Sequence, residues 1–216
     1  DGAAESRLLT LGREPVVVVG AGVIGLSAAI RLAEAGWPVR VVARDLPLQT
    51  TSAVAAAIWY PYRIHPAARV LAWSSVTLVE LQRLAEDPAT GVVLRHGTEL
   101  LQAGEPDPSW SALLPSFLRL DDPPAPYADG WTFETPVVEM PVYLGWLESH
   151  LSELGAVVEH ADLSTLPDDV PIVVNCSGLG ARDLVGDGAM VPVRGQVVVV
   201  SQVGLTRWSL DGSGLT

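Results

Sequence analysis

Val16-Val17-Val18-Val19-Gly20-Ala21-Gly22-Val23-Ile24-Gly25 is the stretch from which the fold is read. Pro15 to Val19 is a β-branched run, the composition of a strand buried on both faces in a parallel sheet. The next six residues fit Gly-x-Gly-x-x-Gly, placed after a strand and at the mouth of a helix, where a dinucleotide site needs it. Gly20 permits the tight turn, a side chain at Gly22 would keep a pyrophosphate off the backbone, and Gly25 lets the helix pack on the strand. Amides of the helix N-terminus then meet the phosphate charge. Three glycines at this spacing weaken a strand and a helix in a way that packing alone does not require, so a bound ligand is the preferred reading over an empty turn.

Moving outward, Val23 to Ala35 has a helical pattern, with Ile24, Ala28 and Leu32 on one face and Gly36 closing the C-terminus. Val39 to Ala43 is the second strand, which completes a βαβ unit of Rossmann type. An acid is expected about 20 residues after the turn to hold ribose hydroxyls. Asp45 is at that distance from Gly25, but the strand ends at Ala43 or Arg44, which puts Arg44 in the usual acid position. An arginine there stacks on adenine or meets a ribose phosphate, as in NADP sites, and Asp45 reads equally as a solvated loop acid. From this motif alone a dinucleotide is indicated and its identity is open.

Composition narrows the function classes. The chain has 216 residues, 49% apolar and 18% charged, so it can bury a core and is not intrinsically disordered. A net charge of −12 with no arginine cluster argues against nucleic acid as a partner. All 13 basic residues are Arg, which excludes a lysine Schiff base and a P-loop lysine within these residues. A single Cys176 and four scattered histidines (His65, His96, His150, His160) build no zinc site, and no metal is expected. The apolar run Pro15 to Ile30 is too short and glycine-rich to span a membrane, and it lacks the flanks of a signal peptide. No membrane partner and a cytoplasmic location are the expectation.

Residues 1–13 read as a polar leader outside the first core. Pro66 to Glu86 is expected as an amphipathic helix with Val70, Trp73, Thr77, Leu81 and Leu84 along its stripe. Gly91 to Gln102 is expected as a strand pair or hairpin, and the Pro- and Asp-rich Gly104 to Gly130 as surface cover. Pro141 to Leu154 reads as a helix, and Ala156–Glu159, Pro171–Asn175 and Gln196–Gln202 as strands.

Three further segments resemble the D-amino-acid oxidase family. Thr50 to Tyr62 (TTSAVAAAIWYPY) is similar to the family's second signature, Val173 to Ala181 (VVNCSGLGA) to its strand-turn near the flavin, and Pro192 to Gln196 (PVRGQ) to the motif that follows. Order and spacing agree from about Pro15 to the end, and the Thr50–Tyr62 segment is the specific one. The resemblance implies an α/β fold in which a Rossmann-type FAD-binding domain (15–64 and 136–185) is interleaved with a mixed-sheet α+β substrate domain (65–135 and 186–216). It implies non-covalent FAD. Gly20, Ala21, Gly22, Val23 and Ile24 would face the pyrophosphate, with Gly25 completing the turn. Arg44 and Asp45 would contact the adenosine, and Thr50, Thr51 and Ser52 the phosphate side. Ala56, Ala57 and Ile58 would run beside the flavin, Leu163 would offer its backbone to adenine, and Ser177 would lie near the cofactor. Tyr60 and Tyr62 fall where the family lines its substrate pocket.

The activity implied is oxidative deamination of neutral D-amino acids by oxygen to 2-oxo acids, ammonia and hydrogen peroxide. No side chain here need act as acid or base, so none is named as catalytic. The family's chain continues beyond the position of Thr216, and that portion would carry the substrate-carboxylate arginine, a pocket tyrosine and a glycine-rich flavin segment. A separate C-terminal chain is therefore an expected partner beside the D-amino acid and oxygen. The alternatives are glycine or D-aspartate oxidase, an NADP-dependent oxidoreductase suggested by Arg44, and a flavin-binding fragment without turnover.

Overall fold

The computed structural model describes residues 14–62, 64–201 and 203–212. The expected polar leader 1–13 and the strand end at Gln202 lie outside them. The chain forms two compact units, each built from two separated stretches. One takes the chain to Ala55 and again from Met140 to Val197, and the other takes Ala56–Glu139 and the chain from Val198 onward.

The first unit contains β1 (Val16–Val19), α1 (Val23–Glu34), β2 (Val39–Ala43), two short 3₁₀ turns (Pro47–Gln49 and Thr51–Val54) and α3 (Met140–Glu153). It also holds β7 (Val158–His160), β8 (Val173–Asn175), a 3₁₀ turn (Gly178–Gly180) and the short α4 (Ala181–Leu184). Its sheet runs β7-β2-β1-β8, parallel throughout, with Val16 beside Val39 and Val17 beside Val173. All four β1 valines are at most 4% exposed, and each fully buried one contributes about 1.5–3 kcal/mol. Val17, Val19 and Val42 form a cluster closed by Leu163, Leu166, Val173 and Leu184.

α1 turns a different face inward from the expected one. Gly25, Leu26, Ala29 and Ile30 are buried, and Ile24 is 69% exposed. The cause is the contact at Gly25: a Cβ there would lie 1.9 Å from the Gly20 carbonyl oxygen, so backbone meets backbone and sets the helix rotation. Gly36, with φ +80°, follows the end of the helix.

The second unit holds β3 (Ala57–Ile58), α2 (Ala67–Leu84), β4 (Val92–Leu101), β5 (Leu118–Arg119), β6 (Asp129–Val138) and β9 (Trp208–Asp211). The expected hairpin at Gly91–Gln102 is instead the single ten-residue strand β4, paired antiparallel with β6 from Val92↔Val138 to Leu101↔Asp129. Gly97 is no turn. A Cβ there would lie 1.9 Å from Trp208 Cδ2, so the glycine seats the Trp208 ring, whose indole N–H donates to the Arg95 carbonyl at 2.9 Å. β9 lies parallel to β4 on the other side, with Gly97 opposite Trp208.

The core of this unit is aromatic: Trp59, Trp110, Trp131 and Phe133, with Tyr60, Phe117 and Trp208 packed against it. Trp110 and Leu114 come from the segment expected to be surface cover, and both are buried. α2 buries Val70, Leu78 and Leu84 and meets this core through Leu71, Leu78 and Leu81, whereas Trp73 is 60% exposed and Thr77 is exposed. The Ser74 backbone carbonyl accepts from the Trp59 indole at 3.0 Å. The expected strand Gln196–Gln202 is absent among the described residues: 196–201 has no ladder partner and Val199 is 91% exposed. β-branched composition without a neighbouring strand makes no sheet. No helix among the described residues is long and apolar enough to cross a membrane.

Candidate functional site

Parallel sheets place ligands at the carboxyl ends of their strands. At that end of β1, β2 and β8 the first unit has a cleft of about 490 Å³, within the ~300–1,000 Å³ of small-molecule sites. Of the residues named from sequence, Gly20, Ala21, Gly22, Ile24, Arg44, Asp45, Thr50, Thr51, Ser52, Leu163 and Ser177 all line it. Gly20, at φ +109°, turns the chain out of β1, and a Cβ on it would meet the Cys176 carbonyl oxygen at 2.4 Å. Gly22 opens the cleft toward Ser52 and Thr50: a Cβ there would be 3.1 Å from Ser52 Oγ. Gly25 does not line the cleft; it is the packing contact beneath the turn.

Several polar groups of the cleft are already engaged. The Val23 amide donates to Ser52 Oγ at 3.1 Å, tying the start of α1 to the 51–54 turn. The Thr50 hydroxyl donates to the Pro47 carbonyl at 2.7 Å, so its proton is turned inward and its lone pairs are what it offers. Ser177 Oγ donates to Asn175 Oδ1 at 2.6 Å, which also receives the Ser177 amide. Arg44 and Asp45, beyond the end of β2, pair with each other at 2.8 Å. The hydrogen bond from Arg44 holds the Asp45 carboxyl below its ordinary range, and Asp45 in turn raises the guanidinium.

Other residues of the cleft were not named one by one from sequence, although Cys176, Gly178 and Leu179 lie in the Val173–Ala181 segment quoted above. Asp162 and Ser164 follow β7, and Cys176, Gly178, Leu179 and Asp183 follow β8. Only the pairing of β7 and β8 into the parallel sheet brings these loops beside the glycine turn. Burial raises the Cys176 thiol above its ordinary value.

Ala56, Ala57, Ile58, Tyr60 and Tyr62 belong to the second unit. Ala57 and Ile58 form β3 on the edge of β6, and Ala56 is exposed. The Tyr60 and Tyr62 rings stack at 5.7 Å between centroids and 15° between planes. The Tyr60 hydroxyl reaches both carboxyl oxygens of Glu99, at 2.8 and 2.7 Å. Glu99, in the middle of β4 and 2% exposed, is a residue that sequence reasoning missed. Burial raises its carboxyl above the ordinary range, outweighing the hydrogen bond from Tyr60.

Comparison with known proteins places this geometry. Residues 15–214 match the family described as DAO, FAD dependent oxidoreductase. A D-amino-acid oxidase from Rubrobacter xylanophilus is 47% identical over 201 residues, 90% of this chain and 62% of that protein. One from Streptomyces coelicolor is 41% identical over 89% of this chain and 61% of that protein. A D-aspartate oxidase from Homo sapiens is 35% identical over 93% of this chain and 64% of that protein. The chain thus spans under two thirds of the length of these curated relatives. Among solved structures, an L-amino acid deaminase from Proteus myxofaciens has the same fold at a TM-score of 0.64 and 16% identity, covering 82% of this chain and 48% of that one. With the match running from ahead of β1 to beyond β9, and the parallel sheet opening on the cleft that Gly20 and Gly22 shape, the chain belongs to the DAO family of FAD-dependent oxidoreductases.

Proposed function

We propose that the protein carrying this chain oxidises neutral D-amino acids to imino acids, which water converts to 2-oxo acids and ammonia, with oxygen reduced to hydrogen peroxide. The observation that carries the reading is the cleft of the first unit, where Gly22 leaves open a cradle between the β1 turn and Thr50–Ser52 that a Cβ would narrow. That cradle fits a pyrophosphate. In this reading Gly20, Ala21, Gly22 and Ile24 hold the phosphates, with Thr50, Thr51 and Ser52 opposite. Val23 and Gly25 shape the turn from within, Arg44 and Asp45 meet the adenosine, and Leu163 and Ser177 border it. The first unit is then the FAD-binding domain and the second the substrate domain, with Ala56, Ala57 and Ile58 running along the flavin.

A bound flavin would supply the acceptor for hydride from the substrate α-carbon, with oxygen as the final oxidant. The chain's own contribution is position and exclusion of water. Tyr60 and Tyr62 form an aromatic wall suited to apolar side chains. D-Aspartate would require an additional cation there.

The test is peroxide formation by the full-length flavoprotein from D-alanine, D-valine and D-proline, against D-aspartate, glycine and the L-enantiomers. Turnover of the neutral D-amino acids is expected. Turnover confined to D-aspartate or glycine would overturn the substrate assignment, and flavin-free protein that refuses added FAD would overturn the site.

A further inference from the structure

Glu99 lies between two neighbouring strands, opposite Trp131 on β6 and Leu210 on β9, in an aromatic core. A leucine would fill that space without the desolvation that a carboxyl suffers. No cation among the described residues pairs with it, and Tyr60 is the only side chain there that hydrogen-bonds it. The carboxylate of Glu105 acts on it as a like charge and favours its neutral form. What Glu99 does that leucine could not is hold the Tyr60 hydroxyl.

Tyr60 needs such an anchor because it lies past the end of β3, on a loop. The backbone before it is clamped, with the Trp59 amide on Pro136 O at 2.9 Å and Trp59 O accepting from Thr135 Oγ1 at 2.8 Å. Its ring stacks on Tyr62 and Phe133 and meets the edge of Trp110 at 5.2 Å. These contacts set the plane of the ring, and the carboxyl pins its polar end.

We propose that Glu99 is a positioning residue, holding the Tyr60 phenol so that the Tyr60–Tyr62 pair presents one fixed aromatic wall to the substrate side chain. This rests on the reading of Tyr60 and Tyr62 as pocket residues. Burial without a cation favours the neutral carboxyl, which can donate to the phenol oxygen while accepting from its hydroxyl. Glutamine keeps one donor and one acceptor in the same place, and leucine keeps neither.

The test uses the full-length holoenzyme and its Glu99→Gln, Glu99→Leu and Tyr60→Phe variants, with kcat and KM for D-alanine and D-valine, flavin content, and the infrared band of a protonated carboxyl. Glu99→Leu is expected to raise KM about tenfold with kcat within about twofold and flavin content unchanged. Tyr60→Phe should do the same, and the double variant should add little. Glu99→Gln should return KM to within about threefold of the parent. An unchanged KM in Glu99→Leu, a fall confined to kcat, or a Glu99→Gln variant as impaired as Glu99→Leu would overturn the proposal.

If the parent turns over no D-amino acid, the proposed function fails, and the infrared readout still decides the pairing. A carboxyl band lost in Glu99→Gln and shifted in Tyr60→Phe supports it. A band absent from the parent, or indifferent to Tyr60→Phe, overturns it.

Discussion

Two glycines three residues apart do different work, and a single added carbon separates them. At Gly22 a Cβ would touch the Ser52 hydroxyl at 3.1 Å, the far end of a side chain that can rotate away. At Gly25 it would lie 1.9 Å from the Gly20 carbonyl, which is backbone and cannot move without opening the β1 turn. Gly22→Val is therefore expected to fold, with stability within about 1 kcal/mol of the parent, and to lose bound flavin about tenfold. Gly25→Ala is expected to cost about 2–3 kcal/mol of stability through the steric conflict itself. Flavin absorbance per chain, measured beside a denaturant midpoint, checks both. A Gly22→Val protein that retains its full flavin would remove that turn from the site. At this scale the glycine positions were legible from the motif because each has one steric job. Glu99 was not: a lone acid in a strand pattern reads as solvent-facing, and only the pairing of β4 with both β6 and β9 puts it inside.

Among the elements, the parts readable from sequence were those whose partners are local. β1, α1 and β2 follow one another within one βαβ unit, and the β-branched run, the glycine turn and Gly36 mark their limits. What failed depended on distant chain. Gly91–Gln102 read as a strand pair or hairpin because Trp208, which occupies the bare face of Gly97, is more than a hundred residues away. Valine-rich 196–201 looked like a strand, but strand formation requires a neighbour to pair with. The stripe of α2 went astray at Trp73 and Thr77 because hydropathy favours a tryptophan inside, whereas the positions against the core are held by Leu71, Leu78 and Leu81. The corrected face makes a direct prediction. Leu78, 4% exposed, should cost about 2–4 kcal/mol on replacement by Ala. Trp73→Ala should stay within about 0.5 kcal/mol. Chemical denaturation of the two variants measures the difference, and a larger loss at Trp73 would restore the original face.

For the molecule as a whole, pH acts on stability through two buried acids of the second unit whose shifts have opposite signs. At Asp129 burial alone would raise the carboxyl, but hydrogen bonds from the Gly130 amide, from Arg119 and from the Glu105 amide together bring it below its ordinary value of 3.8. The folded state then holds fewer protons than the unfolded chain, so the contribution of Asp129 is fully present above that ordinary value and is lost as pH falls through the depressed one. At Glu99 burial dominates and the carboxyl lies above its ordinary value of 4.5. The folded state holds the extra proton, so its contribution is complete below 4.5 and declines as pH rises through the elevated value. Glu99→Gln removes the titrating group while keeping the hydrogen-bonding shape, and should flatten the decline on the alkaline side of this window without touching the acid limb. Asp129→Asn should do the reverse, lowering stability at neutral pH and flattening the acid limb. Thermal midpoints of the parent and both variants, followed from about pH 2 to about pH 8, separate the two effects. A Glu99→Gln curve parallel to that of the parent across the range would mean that the carboxyl titrates as it does in the unfolded chain, with the hydrogen bond from Tyr60 offsetting burial.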